Sequence, residues 1–298
     1  MKIKSFLSKY GNGYFFISFW LILFVVFTLV PIAMAVGISF TNFDMIQTPR
    51  FIGFSNYTRM FLDDDVFIKA LTNTLLFAVI TGPIGYVLSF IVAWLINDLW
   101  RPLKTVLTFL FYSPSLVGSV YLVWTYLFSN DSYGILNSTL LKTGLISDSI
   151  QWLNDPKYNV YVVIIVVLWM GMGVGFLSFV AGFKQLNNAY FEAAAIDGLN
   201  NRWQEMWYIT LPQMRPMLLI GAVLSISGAF AIGAQNAALT GNPSTDYSTH
   251  TLLLHIQDYG STRMEMGYAS AVAVVLFILM VASWVFISKA MNAVAPSD

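Results

Sequence analysis

Two groups of side chains in this sequence have types that could perform chemistry. His250 and His255 lie close to the acids Asp246 and Asp258, and the sequence contains no cysteine. The histidines indicate a zinc site only weakly, because a spacing of five differs from the i, i+4 pair of a helix and no third strong ligand is fixed. We therefore expect both histidines to lie at the surface, and we expect no metal site.

The second group is the triple acid Asp63-Asp64-Asp65. Three adjacent carboxylates are compatible with a metal-dependent glycosyltransferase. They stand directly before a long apolar run, however, and acids are favoured in the first turn of a helix. The interpretation that we favour is a solvated helix start, so that no residue is assigned a catalytic role.

The composition excludes most classes of soluble protein. Of the 298 residues, 57% are hydrophobic and only 10% are charged, whereas a soluble domain carries about 25% charged residues. So few charges cannot cover the surface of a soluble globule, which indicates a membrane-embedded protein. Basic and acidic residues are equal at 15 each, so there is no basic excess that would hold nucleic acid.

Six long runs without charge divide the sequence. A bilayer core requires about 20 apolar residues in a helix, because lipid cannot satisfy the polar groups of an open backbone. The predicted fold class is therefore an all-α integral membrane protein, with one domain over 1–298 and six transmembrane helices. The predicted spans are 14–38, 70–96, 105–128, 160–182, 217–239 and 268–288.

The distribution of charge predicts the orientation in the membrane. An even number of spans places both termini on the same side. The segments on that side carry nine basic and five acidic residues, whereas the three loops on the other side carry six basic and ten acidic residues. The positive-inside rule therefore places both termini in the cytoplasm.

The long inner loop, 183–216, has the pattern of a short helix followed by a sharp turn. Asn187-Asn188 predicts a helix that starts near Ala189, and an alanine-rich run then favours helix. Gly198 predicts the end of this helix in the left-handed conformation. Glu192 is expected at the start of the helix, where the helix dipole favours an anion.

A second short helix is predicted in the same loop. Asn200 or Asn201 is expected to cap it, and Leu211-Pro212 is expected to end it before the fifth span. Several large apolar side chains follow these caps, and they give the loop more apolar surface than a solvated segment needs. Such a surface indicates either a protein partner or a helix that lies on lipid.

The same loop carries a sequence motif. Glu192-Ala193-Ala194-Ala195-Ile196-Asp197-Gly198, followed by Ile209-Thr210-Leu211-Pro212, resembles the EAA loop of ABC importer permeases. The family pattern is E-A-A, three residues, Gly, about nine residues, and then I-x-L-P. Ten residues separate Gly198 from Ile209 here, one more than in the pattern. Within the loop, Trp203-Gln204 resembles the carbohydrate importer branch.

Other segments along nearly the whole chain resemble that branch, which is the maltose/glycerol-phosphate importer type of permease with the type I fold. They are Gly53 with Asn56-Tyr57, Ser113-Pro114, Leu239-Thr240-Gly241-Asn242-Pro243 and Gly267-Tyr268-Ala269-Ser270-Ala271.

The resemblance implies a multi-pass permease of a bacterial inner membrane. Such a permease pairs with a second homologous permease, docks on a cytoplasmic ABC ATPase dimer and receives a saccharide from an extracytoplasmic binding protein. The ATPase binds the ATP, so no cofactor is expected in this chain, and the sequence has no G-x-x-x-x-G-K-[ST] motif. In the coupling loop, 184–213, the resemblance assigns ATPase coupling to Glu192, Ala193, Ala194, Asp197, Gly198, Ile209, Leu211 and Pro212.

A sugar pathway requires aromatic faces together with amides or hydroxyls. Gln235 and Asn236 are adjacent amides in an apolar span, where they are costly unless they face a cavity or a partner helix. The candidate pathway residues are Gln235, Asn236, Trp169, Gly171, Gly173, Tyr121 and Trp124. Tight packing between helices explains each glycine as well.

Two other functions agree less well with the residues of this sequence. A secondary transporter or channel for small polar solutes stays open as the alternative, although no predicted span carries a charge that could relay protons or ions. An integral-membrane enzyme is disfavoured, because the predicted spans hold no convergent acid–base pair.

Overall fold

Nearly all of the described chain is helical. The computed structural model describes residues 17–199 and 201–294, and within these ranges the extended structure is limited to one antiparallel bridge between Thr41 and Phe51. The start of the first predicted span at residue 14, the cap candidate Asn200 and both chain ends lie outside the described residues. The helices are α1 (Ile17–Ile38), α2 (Ser55–Leu62), α3 (Asp65–Asn97), α4 (Arg101–Leu116), α5 (Leu122–Leu127), α6 (Ile135–Lys142), α7 (Pro156–Met170), α8 (Val174–Lys184), α9 (Asn188–Ile196), α10 (Arg202–Gln213), α11 (Arg215–Phe230), α12 (Ala234–Thr240), α13 (Leu252–Gln257) and α14 (Met266–Val294).

Several helices are long and apolar enough to cross a membrane. Over the described ranges there are four such spans, and five if the bent pair α10–α11 is taken as one. The chain is therefore an all-helical, multi-pass membrane protein, while the count of six spans stays a prediction. The four are Ile17–Ile38, Asp65–Asn97, Pro156–Lys184 and Met266–Lys289.

The third and fifth spans are not the continuous helices that were predicted, and the fourth is also interrupted, at residues 171–173 between α7 and α8. The third breaks between Leu116 and Leu122, where Val117 is extended. The fifth breaks between Phe230 and Ala234. Proline and glycine lower helix propensity at both places, with Pro114 and Gly118 at the first break and Gly233 at the second. The long apolar runs conceal these breaks, because hydropathy alone does not register backbone geometry.

The described residues form two compact units, and the first contains the described part of Met1–Asp64 together with Ile256–Val275. Within it, the Nδ2 of buried Asn56 donates to the backbone oxygens of Ser39 and Thr41, at 2.8 and 2.9 Å. The backbone N–H of Gly267 donates to Phe43 O at 2.8 Å. A β-carbon at Gly267 would collide with the backbone of Thr41, so glycine is required for this close approach.

The triple acid belongs partly to this first unit, and it is not simply solvated. The carboxylate of Asp64 is half-buried and accepts hydrogen bonds from the hydroxyls of Tyr259 and Tyr268, at 3.1 and 2.7 Å. Burial, followed by the charge of Asp64, raises the pKa of the Tyr259 hydroxyl. Asp65 does begin a helix, as expected, because it is the first residue of α3.

The second unit comprises Asp65–His255 together with the described part of Leu276–Asp298. Its centre is the mutual packing of α3, α8 and α11. Gly221 of α11 faces the ring of Phe179 on α8 so closely that a β-carbon would lie 2.5 Å from that ring. Phe179 also makes edge-to-face contacts with Tyr86 and Phe90 of α3. Aromatic packing against a glycine therefore sets the distance between these helices.

The prediction that His250 and His255 lie at the surface is wrong. Both are buried, with 2% and 1% of their surface exposed, and their rings meet edge to face at 5.6 Å. The segment that carries them folds onto α3, because Asn73 Nδ2 donates to the backbone oxygens of Tyr247 and His250. Among the described residues, no group of three or more His, Cys, Asp or Glu could hold a metal ion.

Candidate functional site

The first arm of the coupling loop is α9, and local hydrogen bonds define both of its ends. The side-chain oxygen of Asn187 accepts from the N–H of Ala189 at 3.0 Å, which confirms the predicted cap. Gly198 has φ +91°, in the left-handed region that was predicted for it. The N–H groups of Gly198 and Leu199 donate to the backbone oxygens of Ala195 and Ala194, at 3.3 and 2.9 Å. This pair of bonds is a Schellman motif.

The arm α9 has no buried residue. Glu192, Ala193, Asp197 and Gly198 are exposed, and Ala194 is half-buried. Glu192 lies in the second turn of α9, and the first turn contains no acid. The expectation that Glu192 interacts with the positive end of the helix dipole is therefore wrong, because that effect fades after the first turn.

The second arm, α10, is packed against the protein. Met206 and Ile209 are buried, as is Met214 just beyond the helix. Met206 and Met214 join a hydrophobic cluster with residues of α3 and α8, and Leu211 packs at its edge. The residues to which the resemblance assigns coupling thus divide into mostly exposed residues on or beside α9 and inward-facing Ile209 and Leu211 on α10, with Pro212 exposed.

Polar and aromatic contacts fix the start of α10 to the end of α3. The side chain of Asn201 accepts from Trp203 N at 3.0 Å, so Asn201 is the cap among the described residues. The ring of Trp203 lies 5.3 Å from that of Trp94 on α3. Arg202 forms an ion pair with Asp98 at 2.7 Å; such an exposed pair contributes about 1 kcal/mol or less.

The prediction that Leu211-Pro212 ends the second helix is wrong by two residues. Pro212 continues α10, and the chain bends by 82° between Gln213 and Arg215. Proline is tolerated here because α10 widens into a π-type turn over Met206–Thr210, which rearranges the hydrogen bonds before it. The result is a rigid second arm that leads directly into α11.

A second feature of interest is a cavity between the central helices of the second unit, whose mostly apolar lining includes several polar groups. Two adjoining spaces, of about 220 and 270 Å³, share the lining residues Gly171, Leu224 and Ser225. One space extends towards Tyr86 and Ser89, and the other towards Ser115 and Gln235. Together they are of the size that holds small ligands, about 300–1,000 Å³.

Broken helices meet at this cavity. Ser115 lies in the last turn of α4, Gly171 lies between α7 and α8, and Ile232 lies between α11 and α12, and all three line it. Interrupted helices in a membrane expose backbone polar groups that must face protein or a water-filled space. The breaks therefore make the lining more polar than the apolar sequence suggests.

Gln235 is the predicted pathway residue with the clearest place in the cavity. It lines the space, and within the described residues its Oε1 has no hydrogen-bond partner. A buried amide oxygen without a partner is costly unless a ligand or water donates to it. This amide is therefore available for a polar ligand.

Asn236 has a different environment from Gln235. It is fully buried, and its Nδ2 donates to the backbone oxygen of Thr249 at 2.7 Å. It is not among the residues that line the cavity. The adjacent amides thus face different ways, because neighbours on a helix point about 100° apart. Asn236 connects α12 to the following loop.

The remaining pathway candidates lie at or near the cavity. Gly171 lines it, and Gly173 packs so closely on Ser115 that a β-carbon would lie 3.2 Å away. Trp169 meets Trp124 edge to face at 5.4 Å. Trp124 and Tyr121 pack on a hydrophobic cluster of the second unit, so the structure gives these aromatics a packing role.

Several small or polar residues that line the cavity were not predicted from the sequence. Thr81, Gly85 and Ser89 are four residues apart along α3, as are Gly221 and Ser225 on α11. A spacing of four places small and polar residues on one face of a helix. That periodicity was present in the sequence and could have revealed them.

Comparison with known proteins agrees with these features. A family model described as binding-protein-dependent transport system inner membrane component matches residues 85–293. The chain is 31% identical over 289 residues to the lactose transport system permease protein LacF of Rhizobium radiobacter, with 94% of each chain covered. It is also 31% identical to the multiple sugar-binding transport system permease protein MsmF of Streptococcus mutans, again with 94% of each covered.

The fold is shared with a chain of a solved bacterial ABC transporter involved in the import of the acidic polysaccharide alginate. The TM-score is 0.80 at 21% identity, and 99% of this chain and 100% of the other are covered. The family match extends over most of the sequence and includes the coupling loop and all lining residues of the cavity except Thr81. The chain therefore belongs to the family of binding-protein-dependent transport system inner membrane components.

Proposed function

We propose that this chain is a permease subunit of an ATP-driven importer that receives sugars or oligosaccharides from an external binding protein. The relatives named for lactose and for multiple sugars support the substrate class. The observation that carries the proposal is the coupling loop, in which α9 is exposed and α10 is packed against α3 and α8. An arm that is exposed and also rigidly joined to the membrane helices is suited to receive force from a partner.

The proposed complex also contains a second homologous permease and a cytoplasmic ABC ATPase dimer. The ATPase binds and hydrolyses ATP, so this chain performs no catalysis and binds no cofactor. Both termini and the coupling loop lie in the cytoplasm, in agreement with the positive charge of that side. The membrane is the inner membrane of a bacterial-type cell.

The proposed coupling runs from α9 to the cavity. Movement of α9 is transmitted through the Schellman turn to α10, whose buried methionine Met206 contacts the cluster that contains Phe90 and Phe183. Those residues belong to α3 and α8. The same two helices line the cavity through Ser89 and Phe179. A displacement at the ATPase therefore changes the shape of the cavity without any charge in the spans.

The absence of cysteine permits a direct test. In a complex purified from native membranes, Ala193→Cys places a thiol on the exposed face of α9, and Leu145→Cys, 73% exposed in an outer loop, is the control. We expect a heterobifunctional crosslinker, which joins a thiol to an amine, to connect the ATPase to the first variant only. We also expect sugar-loaded binding protein to stimulate ATP hydrolysis in proteoliposomes.

Other outcomes would contradict the proposed function or the proposed contact. Solute uptake by the purified chain along an ion gradient, without an ATPase, would establish the secondary transporter instead. Equal crosslinking of the ATPase to both positions would show that α9 is not its contact with this chain. Crosslinking to neither position, while the binding protein still stimulates hydrolysis, would show the same.

A further inference from the structure

We propose that a large cavity between α4 and α8 is a binding site for an anionic phospholipid, which places its phosphate headgroup among three basic side chains. The cavity has a volume of about 690 Å³, and its basic residues are Arg101, Lys104 and Lys184. This inference concerns residues outside the coupling loop and the central cavity, and it does not depend on the substrate of the importer.

The charge of the cavity is compensated only in part, through the interaction of Asp98 with Lys104. None of its lining residues is acidic. The nearby carboxylate of Asp98 is already paired with Arg202 at 2.7 Å. Arg101 and Lys184 are exposed and form no ion pair within the described part of the chain. Three basic side chains around one space therefore favour an anion in it.

One of the basic side chains is held in place before any ligand binds. The Nζ of Lys104 donates to the backbone and side-chain oxygens of Asn97, at 3.1 and 2.6 Å. Burial, followed by the charge of Lys184, lowers the pKa of the Lys104 ammonium. A bound phosphate would reduce the repulsion between the two lysines, which is a favourable contribution to binding.

Beyond the basic end, Thr105 and Thr108 donate their hydroxyls to backbone oxygens of α4. The remaining lining is Phe109, Tyr112 and Val180, and this apolar part distinguishes a phospholipid from a free anion. Along α4 the lining continues from the basic end to Phe109 and Tyr112, and Val180 of α8 faces the same space. At about 1.5 Å per residue, Tyr112 lies about 12 Å along the helix from Lys104. A free phosphate would use the basic end alone. A phospholipid places its headgroup there and an acyl chain along the apolar lining.

The position in the chain fits a lipid site. Arg101 begins α4 and Lys184 ends α8, so the basic residues lie at the ends of apolar helices. Basic pockets between membrane helices on the cytoplasmic side are typical sites for anionic headgroups. Phe109 is 66% exposed beside the cavity, which leaves a path open from the bilayer.

Native mass spectrometry of the full-length chain, in its complex in neutral detergent, tests the proposal. The probes are phosphatidylglycerol, phosphatidylcholine with the same acyl chains, and inorganic phosphate. The double substitution Arg101→Gln with Lys184→Gln removes two charges from the cavity. Lys69→Gln with Lys142→Gln removes two exposed charges elsewhere and is the matched control.

We expect phosphatidylglycerol to bind the unmodified complex in preference to phosphatidylcholine. The cavity variant should lose roughly 30-fold in affinity, about fivefold for each cation, and the control variant should lose none. Equal binding of both lipids, or an unchanged affinity of the cavity variant, would overturn the proposal. Inorganic phosphate that displaces phosphatidylglycerol at similar concentrations would assign the site to a free anion. A site blocked by a protein subunit of the complex would also exclude the lipid.

Discussion

Gly198 allows a test of the coupling loop that separates backbone shape from side-chain contact. Its φ of +91° lies where residues other than glycine are strained. A β-carbon added there would meet no atom within 4 Å. The substitution Gly198→Val therefore changes the backbone preference of the turn, and its β-carbon meets no atom of the folded protein.

The magnitude follows from this geometry. A β-carbon in the left-handed region costs about 1–2 kcal/mol, and no steric clash adds to it. That cost corresponds to about a 5- to 30-fold fall in the population of the native left-handed turn relative to other conformations of the loop. We expect the protein to remain in the membrane, because the turn lies outside every apolar helix. Gly198→Ala should show the same effect at the lower end of the range.

The assay is ATP hydrolysis in proteoliposomes that contain equal amounts of complex, with and without sugar-loaded binding protein. We expect the stimulated rate of Gly198→Val to fall several-fold. Gly144→Val is the matched control, because Gly144 also ends a helix with positive φ, at +73°, and a β-carbon there also meets no atom within 4 Å. Its Schellman bonds join Gly144 and Leu145 to Leu141 and Leu140.

Two results would refute the reasoning about Gly198. Full stimulation in Gly198→Val would show that the left-handed turn is not needed for coupling. An equal loss of stimulation in Gly144→Val would show that the assay reports general strain, since Gly144 follows α6 in a predicted outer loop.

Three further predictions concern the cavity, the core and the exposed arm. Gln235→Ala should weaken sugar uptake at unchanged thermal stability. Asn236→Ala should lower the melting temperature, because the buried backbone oxygen of Thr249 loses this donor, at a cost of about 1–3 kcal/mol. The opposite pattern would exchange their roles. Gly221→Ala should destabilise the complex by about 1–3 kcal/mol in denaturant titration, because its β-carbon would overlap Phe179, and an unchanged midpoint would contradict this packing. Glu192→Ala should reduce stimulated hydrolysis by less than Gly198→Val does, because the exposed Glu192 would lose at most an ion pair with a basic residue of the ATPase, which contributes about 1 kcal/mol or less.

The coupling loop was predicted most accurately, since short-range interactions determine it. The cap at Asn187 and the turn at Gly198 each depend on contacts within a few residues along the chain. Local composition is enough to indicate such motifs. The end of the second helix was misplaced because the π-type turn before Pro212, which sequence pattern does not reveal, allows the helix to continue to Gln213.

The candidate pathway could be predicted only in part. The amides of Gln235 and Asn236 were both singled out, but the face that each occupies depends on which helices pack against α12. The structure directs Gln235 into the cavity and Asn236 towards Thr249. The buried positions of His250 and His255 likewise depend on the contact between their loop and α3.

The sequence by itself determined the membrane class, the helical fold and the coupling loop. The reason is that hydropathy over about 20 residues and capping over a few residues are properties of the local chain. Only the tertiary structure decided that the helix breaks meet at one cavity and which polar side chains line it. It also decided that Arg101, Lys104 and Lys184 surround one space. These features join residues that are far apart in sequence, so the packing of whole helices against one another brings them together.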